Sequence, residues 1–150
     1  MWGMKVLVVV LAVLIGGCGA DPAPLQAAVD GLPLPPSWQV AKTVVEGGSS
    51  GCVTIANPNC PSVFRYYAVS GDLPDLFQQA RTALVAEGYE GLEELSPNCD
   101  RNTDSSPCGL SATKGHIKIA VDLFRPGRDV DSLGISVPDH AIVRIIVRQG

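Results

Sequence analysis

Residues 62–89 read SVFRYYAVSGDLPDLFQQARTALVAEGY, and this stretch decides the fold. Its first nine residues are aromatic and β-branched, which predicts a strand over residues 62–70. Alternation places Val63, Arg65, Tyr67 and Val69 on one face, and Phe64, Tyr66 and Ala68 on the other. The strand is followed at once by a segment of different periodicity.

A helix is predicted from Asp72 to Glu87, because its start, its apolar stripe and its end agree. Asp72 is a suitable N-cap, and Asp75 lies at N3, where acidic side chains are favoured. Gly88 suits the left-handed C′ position, and Tyr89 can close back on Leu84 in a Schellman motif. The apolar residues at helical spacing are Leu73, Leu76, Phe77, Ala80 and Leu84.

Outward from this unit, the remaining pattern is one of strands. A first strand is predicted in residues 38–46, with Trp38, Val40 and Val44 on one face, and a short strand over residues 89–95. Residues 108–124 predict a hairpin that turns at Lys114-Gly115, and residues 142–148 predict the last strand. We therefore expect a two-layer α+β fold: one helix packed on a largely antiparallel sheet of about five or six strands, stapled by disulfides.

The N-terminus has the parts of a secretory signal peptide. Lys5 precedes ten apolar residues at 6–15, and small residues lead to Cys18. A membrane-spanning helix needs about 20 apolar residues, so this run is too short to span. The pattern favours export.

The ending Ile15-Gly16-Gly17-Cys18 resembles the lipobox of bacterial lipoproteins, and the resemblance covers the first 18 residues. It implies a diacylglyceryl group on the Cys18 sulfur, cleavage after Gly17 and fatty acylation of the new amino terminus. Ile15 stands where Leu is usual, and an ordinary signal peptide with an accidental cysteine is the alternative. The general pattern is similar to small lipoproteins of GC-rich bacteria, since arginine outnumbers lysine seven to four.

These observations predict three regions and a location. Residues 1–17 are the lipoprotein signal peptide, residues 18–36 are the lipidated cysteine and a tether with five prolines, and residues 37–150 are a single α+β domain. The mature chain is expected on the extracytoplasmic face of the cell membrane, held there by its lipid.

The charge of the chain bears on its partners. Removing residues 1–17 leaves 133 residues, and because Lys5 is their only charged side chain the net charge becomes −5 instead of −4. An acidic domain is poorly suited to nucleic-acid backbones and to electrostatic adhesion to anionic lipid. No nucleic-acid partner is expected, and the membrane is expected as a partner only through the lipid anchor.

The four cysteines besides Cys18 predict two disulfides. An even count in an exported chain is typical of a disulfide framework, and three connectivities are open. The favoured pairs are Cys52–Cys60 and Cys99–Cys108, since each pair brackets a loop rich in turn-forming residues. A zinc site would use pairs of cysteines separated by only two to four residues, and a redox site would use C-x-x-C, so these alternatives are less favoured.

No catalytic residue or cofactor site emerges. Asp100, Asn102 and Asp104 begin like a calcium loop, but the glycine and glutamate that complete it are missing. His116 and His140 are expected at exposed strand edges, and no G-x-S-x-G element or phosphate loop is present. No metal and no cofactor are therefore expected.

Function is constrained only broadly. Tyr66 and Tyr67 are mainly expected in the core, with a partial ligand surface as the alternative. We expect a non-catalytic binding or accessory module of an envelope assembly, with an envelope protein as a partner. The alternative is an enzyme, or an enzyme subunit, that acts on cell-wall material.

Overall fold

The computed structural model describes residues 21–48, 60–96, 108–126, 134–135 and 139–150. Two helices and six strands lie in these ranges. They are α1 (Ala23–Asp30), β1 (Gln39–Glu46), β2 (Ser62–Val69), α2 (Leu73–Ala86), β3 (Glu90–Ser96), β4 (Cys108–Lys114), β5 (Ile117–Phe124) and β6 (Ala141–Gln149). The architecture is broadly α+β and is dominated by the sheet.

The six strands form one sheet in the order β1-β2-β6-β5-β4-β3, and every neighbouring pair is antiparallel. β1 and β3 are the two edges. The hairpin between β4 and β5 turns where the sequence predicts, because Lys114 pairs with Ile117 and Gly115 has a positive φ of 58°.

The helix predicted over residues 72–87 is confirmed as α2, including both of its ends. The Asp72 side chain accepts a hydrogen bond from the Asp75 amide at 2.9 Å. At the other end the Tyr89 amide donates to the Leu84 carbonyl and the Gly88 amide to the Val85 carbonyl, at 2.9 Å and 3.0 Å. This is the Schellman pattern that the glycine predicted.

The prediction of one helix on a disulfide-stapled sheet is wrong in its helix count, since α1 is a second helix. Cys60 and Cys108 are disulfide-bonded, while Cys52 and Cys99 lie outside the described ranges, so the predicted connectivity stays a prediction.

α1 forms in the segment that we expected to be an extended tether. Pro24 lies in its first turn, where proline is tolerated, and the Asp21 carboxylate accepts a hydrogen bond from the Ala23 amide at 2.9 Å. Leu25 and Val29, one helical turn apart, are buried against the sheet. Residues 23–32 thus contribute to the core, and Leu32 extends the same buried contact beyond the helix.

Both helices cover one face of the sheet: α1 contacts β6 and β2, and α2 contacts β4 and β5. The main core lies between these layers. Its strand residues are Val63, Tyr67, Val69, Cys108, Leu110, Ala112, Ile119, Val121, Leu123, Ala141, Val143, Ile145 and Val147.

The opposite face, which carries no helix among the described residues, is also partly apolar. Tyr66, Ile135 and Ile142 form a second buried cluster, against which Phe64 and Phe124 pack. This apolar cluster spans β2, β5 and β6.

The predicted common face of Trp38, Val40 and Val44 does not form. A register shift lies between Val40 and Lys42. Trp38 is in the main core, Val44 packs on the second cluster, and Val40 is exposed. An irregularity of this kind interrupts the alternation of the two faces.

Candidate functional site

The residues that the sequence favoured as sites are mostly not brought together. Tyr66 and Tyr67 are 7% and 4% exposed and lie on opposite faces of β2, so the two rings do not form one ligand surface. Cys18 and the calcium-like residues at 100–104 lie outside the described ranges. His116 is an exposed turn residue and His140 is half-buried.

A groove of about 370 Å³ lies between α2 and the segment that joins α1 to β1. Successive turns of α2 supply one wall, because its members are three, four, seven and eight residues apart. The groove is lined by Pro33, Pro35, Asp75, Gln78, Gln79, Thr82 and Ala83. The sequence analysis did not single out these residues, since the two walls come from separate segments.

The joining segment is fixed to α2 by Trp38. The indole Nε1 donates to the Gln79 side-chain oxygen at 3.0 Å, and the indole ring meets Tyr67 edge-on, with centroids 5.7 Å apart. Trp38 is itself buried. The two walls of the groove are therefore connected by packing and by a hydrogen bond.

The groove offers mainly neutral polar groups. It has two amides, one hydroxyl, one carboxylate and the flat apolar surfaces of two prolines. With its oxygen occupied by Trp38, Gln79 still has an amide nitrogen that can donate, and Gln78 can both donate and accept. This set suits hydrogen bonding to a neutral ligand and provides no nucleophile with an adjacent base.

A charged network ties α1 to the sheet on the helical face. The Arg65 guanidinium donates to the Asp30 carboxylate at the end of α1. Burial lowers the pKa of Arg65, but its hydrogen bonds to Asp30 and Tyr67 outweigh burial and raise that pKa overall. Burial raises the pKa of Tyr67, against the opposing effect of Arg65.

A second ion pair lies on the opposite face. Arg144 donates from Nε and Nη2 to one oxygen of Asp122, at 2.9 Å and 2.6 Å, and its guanidinium lies 5.1 Å from the centre of the Phe124 ring. Gly109 is directly opposite Asp122 in the register, and a Cβ atom there would lie 2.9 Å from the Asp122 carboxylate. The glycine leaves room for the acidic side chain.

The two sheet edges differ in character. β1 is exposed along its length except at Val44, which is half-buried, and it presents Val40 and Val45 at 57% and 41% exposure. β3 carries the exposed carboxylates of Glu90, Glu93 and Glu94, and its register is interrupted twice.

Searches of the described ranges for two further kinds of feature were negative. No three His, Cys, Asp or Glu side chains there are grouped as a metal ion would need. Neither helix in those ranges has the length and apolar character to cross a bilayer. Comparison of the chain with protein-family models, curated proteins and solved structures found no match.

Proposed function

We propose that this protein is an exported lipoprotein, anchored through Cys18, whose domain is a non-catalytic binding module of an envelope assembly. The anchor is supported by the lipobox-like sequence at residues 15–18. The binding role is carried by one structural observation, the groove between α2 and the residue 31–38 segment.

The start of α1 bears on where such a domain would sit. Only residues 19–22 separate Cys18 from Ala23, the first residue of the packed helix. At about 3.3–3.6 Å per residue, four residues span at most about 14 Å. A lipid on Cys18 would therefore hold the domain at the membrane surface, without the long stalk that the prolines suggested.

The chemistry of the groove favours an extended peptide segment of another envelope protein as its ligand. Gln78, the Gln79 amide nitrogen and Thr82 can pair with the backbone groups of such a segment. Pro33 and Pro35 supply an apolar surface on the other wall. The lining residues of α2 extend from Asp75 to Ala83, over two turns of the helix, which suits a chain-like ligand.

The anchor is tested by replacing Cys18 with Ser in the full chain and fractionating the cells. We expect the wild-type protein in the membrane fraction with the mass of a chain that begins at Cys18 plus lipid. We expect the variant to leave that fraction. Retention of the variant at the wild-type level would contradict the anchor.

The groove is tested by placing a photo-crosslinking amino acid at position 78 in intact cells. Val85 is the matched control, because it lies on the same helix, is exposed and does not line the groove. We expect position 78 to give a discrete adduct that mass spectrometry identifies as an exported protein, and position 85 to give none. No adduct from position 78, or the same adducts from both positions, would contradict the proposed site.

A further inference from the structure

Among the strands in the described ranges, β1 is an edge strand with features that allow another strand to be added. It ends the sheet, and it pairs regularly with β2 from Lys42 to Glu46. An edge strand presents unpaired backbone N–H and C=O groups to any extended chain that reaches it. Here Val45 and Val40 are also exposed beside that edge.

The other edge has the devices by which proteins avoid such pairing. β3 carries three exposed glutamates, at positions 90, 93 and 94, and two register irregularities. Charge and irregularity both oppose the addition of a strand. β1 has one irregularity, between Val40 and Lys42, and one charge of each sign in its regular segment 42–46, so it is the edge that better accommodates a partner strand.

We propose that the partner is a second copy of this chain, whose β1 pairs antiparallel with β1 and crosses it at Val44. In this register Lys42 lies opposite Glu46 of the second copy, and Glu46 opposite its Lys42. Both side chains share a face with Val44, since they pair with alternate residues of β2. Two ion pairs thus flank the symmetry axis.

The remaining side chains of β1 agree with this register. Thr43 lies opposite Val45 of the second copy on the helical face, a pair of β-branched residues that packs well across strands. Lys42 already has an interaction within its own chain, and its three N–H donors allow the Glu46 carboxylate of the second copy to bind as well. The local Lys–Glu complementarity opposes the general repulsion of two acidic domains.

The symmetry also suits two chains in one membrane, a step that rests on the proposed lipid anchor. Antiparallel pairing of β1 places the two-fold axis perpendicular to the joined sheet, so both helical layers lie on the same side. Both copies of α1 then lie on that side as well. Parallel pairing would put them on opposite sides.

An interface made by one strand from each copy is small, and interfaces at the low end of the size range are weak. Confinement of both chains to a membrane raises their effective concentration. The measurement therefore uses the purified, lipidated full chain in neutrally buoyant detergent micelles, by sedimentation equilibrium over a range of protein-to-detergent ratios.

Charge exchange provides the test. We expect wild-type protein to dimerise, and Lys42→Glu or Glu46→Lys to raise the dissociation constant at least about tenfold, because each variant places two like-charged pairs at the interface. The double variant K42E/E46K restores both opposite-charge pairs and is expected to dimerise like the wild type. Glu90→Lys, on the β3 edge, is the control that leaves the dimer unchanged.

A monomeric wild-type protein, or a double variant no tighter than the single ones, would overturn the proposal. Thermal unfolding followed by circular dichroism verifies that each variant is folded. The anchor is tested separately, by fractionation of Cys18→Ser. A wild-type chain that is membrane-bound but monomeric refutes the dimer alone. A Cys18→Ser chain that is released from the membrane but still dimerises at higher concentration leaves the proposal about β1 intact.

Discussion

Truncation of Leu25 to Ala measures how strongly α1 belongs to the domain. The Leu25 side chain is 1% exposed and packs in the main core with Val29. Removal of a buried leucine side chain beyond Cβ costs about 2–5 kcal/mol, depending on how far the site collapses. α1 is a short helix that can shift toward the sheet, so we expect Leu25→Ala to lower the free energy of unfolding by about 3 kcal/mol.

For a domain of this size, a loss of about 3 kcal/mol corresponds to a decrease of about 10 °C in the thermal midpoint, measured by circular dichroism. Ala27→Gln is the matched control, because Ala27 is exposed on the same helix and glutamine is a good helix former. Its midpoint is expected within about 2 °C of the wild type. A Leu25→Ala midpoint equal to that of the control would refute the packing of α1 and restore the extended tether.

Three further predictions concern the sheet and α2. Gly109→Ala places a Cβ atom 2.8 Å from a backbone oxygen of β5, and we expect a loss of about 2–3 kcal/mol. In Gly115→Ala the new Cβ atom meets nothing within 4 Å, but the residue keeps a φ of +58°, so urea denaturation is expected to show a loss of only about 1 kcal/mol in the free energy of unfolding. A larger loss for Gly115→Ala than for Gly109→Ala would contradict this reasoning. Burial raises the pKa of Tyr89 in the folded protein, so this tyrosine ionises at lower pH in the unfolded chain. The contribution of Tyr89 to folding stability is therefore complete below about pH 10 and is lost as the pH rises through the folded pKa. Tyr89→Phe is expected to reduce that alkaline loss in urea midpoints taken from pH 8 to 11, and an unchanged profile would exclude the assignment. Asp72→Ala removes the N-cap of α2 and is expected to cost about 1 kcal/mol, whereas Asp72→Ser is expected to retain most of the stability.

Local signals made α2 predictable. The cap at Asp72 and the glycine at position 88 stabilise the two ends of the helix through contacts within a few residues. The apolar stripe marks the buried face of the helix by its spacing alone. The strands were similarly visible, because β-branched and aromatic runs are bounded by turn residues. Elements of this kind can be read from sequence.

α1 was not predictable because it lacks such local signals and depends on contacts with distant parts of the chain. It has eight residues, only two of which are buried, and its first turn contains a proline that serves a helix start and an extended spacer equally well. An isolated helix of this length is not stable in water, so its formation depends on burial of Leu25 and Val29 against the sheet. That contact is not visible in a local pattern.

The site was hidden by the same dependence on tertiary contact. One groove wall lies at residues 33–35 and the other at residues 75–83, and the hydrogen bond between Trp38 and Gln79 joins segments 41 residues apart. The irregularity in β1 is likewise invisible in sequence, although it separates the faces of Val40 and Val44. Sequence alone placed Tyr66 and Tyr67 mainly in the core, where both are buried, and offered them only as an alternative ligand surface.

The burial of Tyr66 and Tyr67 reduces the number of surfaces at which this domain can bind a ligand or partner. One face of the sheet is covered by α1 and α2, and the other carries the cluster of Tyr66, Ile135 and Ile142 beside the Asp122–Arg144 pair. The centre of each sheet face is therefore covered or closely packed. In the described part of the chain, a ligand or partner can bind only at the edges of the sheet or at the margins of the helical layer. The α2 groove and the β1 edge are two such places. A dimer formed through β1 would therefore present two α2 grooves on the side of the joined sheet that carries both copies of α1.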